Sequence, residues 1–437
     1  MFSTFSGGIY PRGKKKITEN INFSNLPIPQ FCYIPIQQHK GAPARIVVKV
    51  RDIVTEGQLI AAAHGSSSSN VHSSIPGRVI EIKQSPNIYA DQTVIVIEAG
   101  GSFGTSYPRT EISSWEKLSI EEIIDKIESA GIAGLGGDAY QADIKLNFQQ
   151  DKKIDVLIVN GAETDPYLTC DDVLMKTFPS EIIEGIKIAM KTLGVEKAII
   201  GIEKNKTETV KSIQNEIDKL QLSGSIQVKA VKAKYPQGDV KLLVYTLTGR
   251  KVPSKGFPAD IGTAVQSVST LYALREAVLY GKPLFERFIT VSGDMILKPG
   301  NYKVRIGTRI SDIIEECGGL KGKPARIVMG SSMCGQCVDS YDYPIVKSTA
   351  GVMFLSEKEI NEEKPSACIR CGKCVDVCPM GLIPCNIEKA YENNRFDKAV
   401  SLNPFDCIQC GSCSYICPSR RQLSYYIMLT QQRLNKK

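Results

Sequence analysis

Between residues 368 and 418 the chain reads C-x2-C-x2-C-x3-C-P twice, as "CIRCGKCVDVCP" and "CIQCGSCSYICP". Eight thiols at such short, fixed spacings leave room for little except metal ligation. Zinc sites use four ligands, usually as two pairs, and do not explain two runs of four. A disulfide framework fits no better. The N-terminus "MFSTFSGGIYPRGKKK" lacks the apolar stretch that directs export, and thiols in a reducing interior stay unpaired. Pro379 and Pro418 turn the chain away from the metal. Iron–sulfur ligation is the reading that remains.

The spacing is that of ferredoxins with two [4Fe–4S] clusters. A tight loop brings three thiolates onto three irons of one cubane, and the fourth iron faces away from it. The last cysteine of each run therefore serves the other cluster. Cluster 1 is assigned to Cys368, Cys371, Cys374 and Cys417, and cluster 2 to Cys407, Cys410, Cys413 and Cys378. Such clusters move single electrons at potentials within roughly −700 to +450 mV. No acid, base or nucleophile triad is needed, because the chemistry belongs to the cofactors.

The remaining composition narrows the surroundings. A chain of 437 residues has room for two to four domains. A net charge of +8 suits an acidic partner or an anionic surface, and is too weak to imply nucleic acid. The longest apolar runs, "DVLIVNGA" and "YYIMLT", fall far short of the ~20 residues of a spanning helix. A cytoplasmic protein without a membrane span of its own is expected. His39, His64 and His72 are widely spaced and read as core or solvated residues, not as zinc ligands.

Four blocks follow from pattern. Residues 1–110 carry short β-branched runs cut by Gly, Pro and Asp, as in "VKVRDIVTEGQLI" and "IPGRVIEI", and resemble the lipoyl-type barrel sandwich. The turn that would carry a modified lysine has none, so a scaffold is expected. Residues 111–287 alternate strands ("DVLIVNGAE", "KAIIGIE", "SIQVKAVKA") with amphipathic helices, which predicts a Rossmann-like α/β core with a parallel sheet. In its first long helix Ser180 reads as the N-cap and Gly194 as the stop. Residues 288–350 place two strand pairs around "KPGN" before a short helix, a β-grasp pattern resembling the SLBB module, followed by an added "GSSMCGQC" loop. Residues 360–437 are the double-cluster domain, ending in a basic helix. In that helix Leu423, Tyr426, Ile427 and Leu434 share a face interrupted by Thr430, which predicts packing on the cluster domain. The sharper alternative is a cationic helix touching lipid or a partner.

Taken in order, "FSGGIYP" (5–11), "QQHKGAPA" (37–44), "GLGG" (134–137), "NGAETDPYLT" (160–169), "KYPQGDVKLLVYTLTGR" (234–250) and the cysteine cassette resemble the RnfC family of Rnf ion-translocating electron-transport complexes. The α/β core is similar to the flavin-binding part of respiratory complex I. That resemblance implies FMN and NADH binding around Gly134, Gly136, Gly137 and Lys145, then Asn160, Glu163 and Asp165, then Tyr235, Gly238 and Asp239. It also implies an oxidoreductase of the translocase type, catalytic only within a complex, peripheral on the inner face of the membrane. Its partners would be membrane subunits and a ferredoxin-like carrier.

Two departures from the family pattern stand out. "DAYQAD" replaces the usual A-G-F-P-T-H, and Asp138 puts a negative charge where the loop would approach a phosphate. Two like charges ~4 Å apart at an effective dielectric near 20 repel by roughly 4 kcal/mol. In addition, Cys334 and Cys337 stand where the family has no cysteine pair, and read either as a dithiol/disulfide couple at a helix start or as two half-buried thiols. As a couple they fit a soluble RnfC-like protein that feeds a thiol- or selenol-dependent enzyme such as D-proline reductase. Cys32, Cys170, Cys317 and Cys385 are expected to be ordinary buried thiols.

Overall fold

The computed structural model describes residues 4–435 except 66, 86–91, 102–103, 109, 112–113, 148–151 and 361–362. The β-branched runs of the first block form two antiparallel sheets. One contains Phe31–Pro35, Gln92–Ala99, Gly77–Ser85 and Ile53–Val54; the other contains Arg45–Ile46, Leu59–Ala62 and Val71–His72. Their inner faces close on Ile34, Ile60, Ile75, Val79, Ile95 and Ile97. Gly77 is required at its edge, since a Cβ there would sit 2.0 Å from the Glu98 carbonyl oxygen. His39 and His72 are buried and His64 is exposed.

The second block is a four-stranded parallel sheet of β1 (Val156–Gly161), β2 (Ala198–Glu203), β3 (Ile226–Val231) and β4 (Thr263–Ser267). Its order is β3-β2-β1-β4, and every pair is parallel. The chain winds outward from β1 to β3 and then returns to place β4 on the other side of β1. Ligands of open α/β sheets bind where the order reverses in this way, beyond the carboxyl ends of the strands. Here that crevice lies between β1 and β4.

Helices α1 (Ile120–Ser129), α2 (Cys170–Thr177), α3 (Pro179–Leu193), α4 (Thr207–Lys219), α5 (Val240–Thr248) and α6 (Val268–Tyr280) cover the sheet. Ser180 is not the cap of α3. Pro179 occupies the first turn, where its missing N–H is no loss, and the Ser180 hydroxyl bonds Glu216 at 2.8 Å. Gly194 ends the helix at φ 64, as read from the sequence. α3 and α6 approach closely at Gly185, where a Cβ would meet the Leu271 carbonyl oxygen at 2.2 Å. Trp115, the chain's one tryptophan, is buried in this core, and its indole N–H faces Glu184 at 3.3 Å.

The β-grasp block contributes β5 (Glu286–Ser292), β6 (Gly300–Arg305), α7 (Ile310–Glu316), β7 (Arg326–Met329), β8 (Gln336–Val338) and β9 (Gly351–Leu355). "KPGN" turns one hairpin, β5 to β6, and not two strand pairs. A strand from the start of the chain, Phe23–Asn25, extends this sheet in parallel beside β6. Lys347 sits where three blocks meet. Its ammonium nitrogen donates to the carbonyls of Asn70 (2.8 Å) and Gly131 (2.6 Å), and its backbone N–H reaches Gln38. The side chain is 1 % exposed, and burial holds the amine down at about 7 against only partial compensation by Asp143.

The cysteine cassette carries α8 (Pro384–Glu392) and α9 (Leu423–Asn435). α9 packs on the cassette through Leu423 and Ile427. Thr430, the polar break in its stripe, is also buried and bonds its hydroxyl to the Tyr426 carbonyl at 2.7 Å. Residues 5–9 form a strap along this region. Gly8 N–H donates to Val377 (2.8 Å), and Ile9 pairs with Tyr235 in an antiparallel bridge. Gly7, at φ +76, has no room for a Cβ, which would lie 2.9 Å from the Cys378 carbonyl oxygen.

Candidate functional site

The two cysteine runs fold alike. Arg370 and Gln409, Gly372 and Gly411, and Gly381 and Arg420 are three pairs of corresponding positions, and all six residues take the left-handed conformation that wraps each loop. Two separate thiol-lined cavities result. Cys378, Cys407, Cys410 and Cys413 line the first; Cys368, Cys371, Cys374 and Cys417 line the second. Among the described residues no three His, Cys, Asp or Glu side chains close on a single ion position. In each cavity four thiols line one common hollow. Backbone amides already point at sulfur, Leu382 N–H at Cys378 (3.3 Å) and Gln409 N–H at Cys407 (3.4 Å). Such bonds stabilise thiolate ligands and tune their metal. The residues present fit [4Fe–4S] clusters. Cys368 and Cys371 are exposed, whereas all four thiols of the other cavity are buried or half-buried.

Three segments frame the switch-point crevice. The first is the glycine loop after α1. Gly131 and Gly137 have positive φ there, while Gly134 and Gly136 do not; Gly136 instead lies close over Ser267, where a Cβ would be 3.2 Å away. Leu135 N–H docks on Thr270 at 3.0 Å. Asp138 does not project its charge toward a ligand. It folds back over Gly134 and is ion-paired with Lys145, so the repulsion expected at this position is cancelled within the loop. Among the described residues the N–H groups of Gly136, Gly137 and Asp138 find no acceptor, and three consecutive amides of this kind form an anion cradle. Nearby, at the end of β4, the Gln266 side chain is buried with its amide nitrogen unpartnered. The crevice fits the phosphate and polar edge of a flavin nucleotide. Gln266 and Ser267 at the end of β4 and Thr270 in the first turn of α6 give no sequence signal, because polar residues are common at strand ends and helix starts.

The second segment, Asn160–Asp165, leaves β1. Asn160 bonds the Gly238 carbonyl at 2.8 Å and ties this loop to the third segment. Glu163 is turned to the N-terminus of α2, where it accepts from Asp171 N–H at 2.9 Å, with Lys15 at 4.0 Å. Burial pushes its carboxyl up to about 7 despite Lys15, and the carboxylates of Asp171 and Asp172 add to the rise. The third segment is Tyr235–Asp239. Asp239 caps α5 and is raised by burial to about 6, against the pull of the helix amides. Glu163 and Asp239 are therefore committed to helix ends as well as lying beside the crevice. Tyr235 reaches out of this segment and donates its hydroxyl to the Cys410 carbonyl at 2.7 Å. The crevice and the Cys378/Cys407/Cys410/Cys413 cavity are thus joined through one side chain.

"GSSMCGQC" occupies the β7–β8 hairpin turn and not a helix start. Ser331 and Ser332 both donate to Asp165, the latter at 2.7 Å, and the Met333 carbonyl packs against Gly411. Both cysteines are exposed as residues, but the Cys334 sulfur itself lies against Tyr235 and Ser331. Desolvation at the sulfur pushes that thiol up, and the Asp165 carboxylate adds to the rise. Cys337 faces outward on β8, opposite Val328. Cys32, Cys170 and Cys317 are buried as expected, but Cys385 is only half-buried and lines the cavity of Cys368, Cys371, Cys374 and Cys417.

Known proteins resemble this chain along its whole length. Residues 3–102 match the RnfC barrel sandwich hybrid domain, 127–276 the Nuo51 FMN-binding domain, 288–336 the SLBB domain and 360–418 the 4Fe-4S dicluster domain. The chain is 41% identical to a component of the proton-translocating ferredoxin:NAD(+) oxidoreductase complex of Clostridium ljungdahlii, over 98% of this chain and 93% of that protein. It is 37% identical to the counterpart in the Na(+)-translocating ferredoxin:NAD(+) oxidoreductase complex of Acetobacterium woodii, over 92% and 90% respectively. Among solved structures, an NAD+-reducing [NiFe]-hydrogenase in the H2-reduced state superposes with a TM-score of 0.53 at 16% identity, over 74% of this chain and 68% of that one. The hydrogenase likeness concerns the fold.

Proposed function

Because the chain belongs to the RnfC family, whose members are components of ion-translocating ferredoxin:NAD(+) oxidoreductase complexes, we propose that it carries electrons between NADH at the switch-point crevice and partner subunits of such a complex. When bound, a flavin divides the electron pair of a hydride into single electrons, and the clusters carry those one at a time. The chain supplies the holding and spacing. The amides of Gly136, Gly137 and Asp138 hold the flavin phosphate, with Lys145 keeping Asp138 neutralised. Cys378, Cys407, Cys410 and Cys413 hold cluster 2, nearest the crevice; Cys368, Cys371, Cys374 and Cys417 hold cluster 1, whose exposed rim faces outward. The observation that supports this reading is the Tyr235–Cys410 contact, which favours the order crevice, cluster 2, cluster 1, partner. No helix among the described residues is long and apolar enough to cross a membrane. A ferredoxin-like carrier is the soluble partner suited to the exposed rim. Adding NADH to protein purified without oxygen should bleach its visible iron–sulfur absorbance. Bleaching by dithionite but not by NADH would defeat the assignment of hydride entry to this chain.

A narrower role within that reading is proposed for the two added cysteines, Cys334 and Cys337, which are free thiols in the hairpin turn over Gly411. On oxidation they would close to a disulfide, which takes two electrons from cluster 2 in single steps and two protons from solvent to give two thiols. Those thiols then reduce an acceptor disulfide. The mass of the peptide spanning residues 326–342, measured after quenching by acid, should rise by two hydrogens on treatment with NADH. An unchanged mass would remove the dithiol from the path.

A further inference from the structure

The wall of the cluster 1 cavity holds a fifth thiol. Cys385, the second residue of α8, lines it together with the four ligand cysteines. It packs against the small core of Cys374, Cys413 and Leu423, which sets its thiol beside Cys374. A thiolate bound to iron can only accept hydrogen bonds, so in the loaded protein Cys385 is the donor and Cys374 the acceptor.

The duplicated architecture supplies an internal comparison. Cys385 stands seven residues after Cys378, and Ser424 seven residues after Cys417. Ser424 lines the cluster 2 cavity as Cys385 lines that of cluster 1. Its hydroxyl is engaged elsewhere, however: Ser414 Oγ lies 2.9 Å away and also accepts from Ser424 N–H at 2.9 Å. Ser414 follows the third cysteine of its run. The corresponding residue beside Cys374 is Val375, which has no polar side-chain atom to draw Cys385 aside. The polar group at this position is thus turned away from its cluster in one half of the duplication and toward a ligand sulfur in the other.

We propose that Cys385 sets the potential of cluster 1, its S–H donating to Cys374 Sγ and holding that cluster at a higher potential than the same ligands would give alone. A reduced cluster carries more negative charge on its sulfurs, so a donor there stabilises the reduced state more than the oxidised one. The effect helps electrons move from cluster 2 near the crevice to cluster 1 at the exposed rim. Cys385 is a positioning residue here and not a ligand. The inference rests on the two-cluster assignment above.

The test is a potentiometric titration followed by electron paramagnetic resonance, with iron counted per chain. It compares the native protein with Cys385→Ala and Cys385→Ser, and cluster 1 is identified as the signal that survives in Cys378→Ala. Alanine keeps the backbone amide and removes only the thiol. It should move the cluster 1 midpoint to a more negative value and leave cluster 2 and the iron content unchanged. Serine restores a donor and should return the midpoint toward the native one. An unmoved midpoint in the alanine variant, an equal shift of both clusters, or a serine variant that behaves like alanine would overturn the proposal. So would loss of iron in both variants, which would make Cys385 a ligand. A native chain with iron for one cluster only would fail the assignment itself, before any shift is read.

Discussion

Cys378→Ala should empty the cluster held by the second cysteine run and leave the first intact, although Cys378 belongs to the first run in sequence. Iron per chain should fall by about half, as expected when one of two equal clusters is lost. The resonance signal that disappears should be the one lost in Cys407→Ala and Cys410→Ala. Cys417→Ala should do the reverse and match Cys368→Ala. The basis is the cavity lining, in which Cys378 stands with Cys407, Cys410 and Cys413, and Cys417 with Cys368, Cys371 and Cys374. If Cys378→Ala removed the same signal as Cys371→Ala, the crossed pairing would be wrong and each run would serve its own cluster.

Lys347→Met should destabilise the junction of the three N-terminal blocks, and the loss should grow with pH. The buried carbonyl of Gly131 and the half-buried one of Asn70 lose their donor. An orphaned buried acceptor costs about 1–3 kcal/mol, and that much is expected from Gly131. The pH dependence follows from the buried amine. In the folded chain it titrates near 7, against an ordinary value of 10.5. Between those values the unfolded chain holds a proton that the folded chain does not, so native stability rises with pH by up to roughly 1.4 kcal/mol per unit. Below pH 7 both states are protonated and the slope from this group vanishes. The methionine variant lacks this dependence altogether. The difference in urea midpoint between the two proteins, read from Trp115 fluorescence, should therefore widen from pH 7 to 9. A difference that stays constant over that range would mean that Lys347 is charged in the native state.

The parts legible in the sequence are those whose physics is local. Cysteine spacing carries the cluster domain because ligand geometry acts over a dozen residues. β-Branched runs between amphipathic helices carry the parallel sheet, and the family pattern carries the order of the blocks. What the sequence hides is a side chain's choice among partners that it does not rank. Asp138 looks hostile to a phosphate, but Lys145, seven residues further on, takes up its charge. Ser180 looks like a cap, yet Pro179 starts the helix first and leaves the hydroxyl to Glu216. Gln266 and Thr270 are invisible because their significance comes from standing where the strand order reverses. Cys385 carries no spacing signal, and only the folded duplication sets it opposite Ser424 and against Cys374.

The strap of residues 5–9 bears on what counts as a module in this chain. Its glycines lie against Val377, Cys378 and Tyr235, so one wall beside cluster 2 is built from the opposite end of the sequence. A cassette cut out at the linker after β9 would keep all eight ligand cysteines and still lack that wall. Transplanting the two clusters into another scaffold would require carrying "FSGGI" with them, as a separate strand grafted in trans or through a permuted chain in which residues 5–9 follow α9. The portable unit is discontinuous in sequence, and its boundary runs through the contacts of Gly7 and Gly8 rather than through any loop.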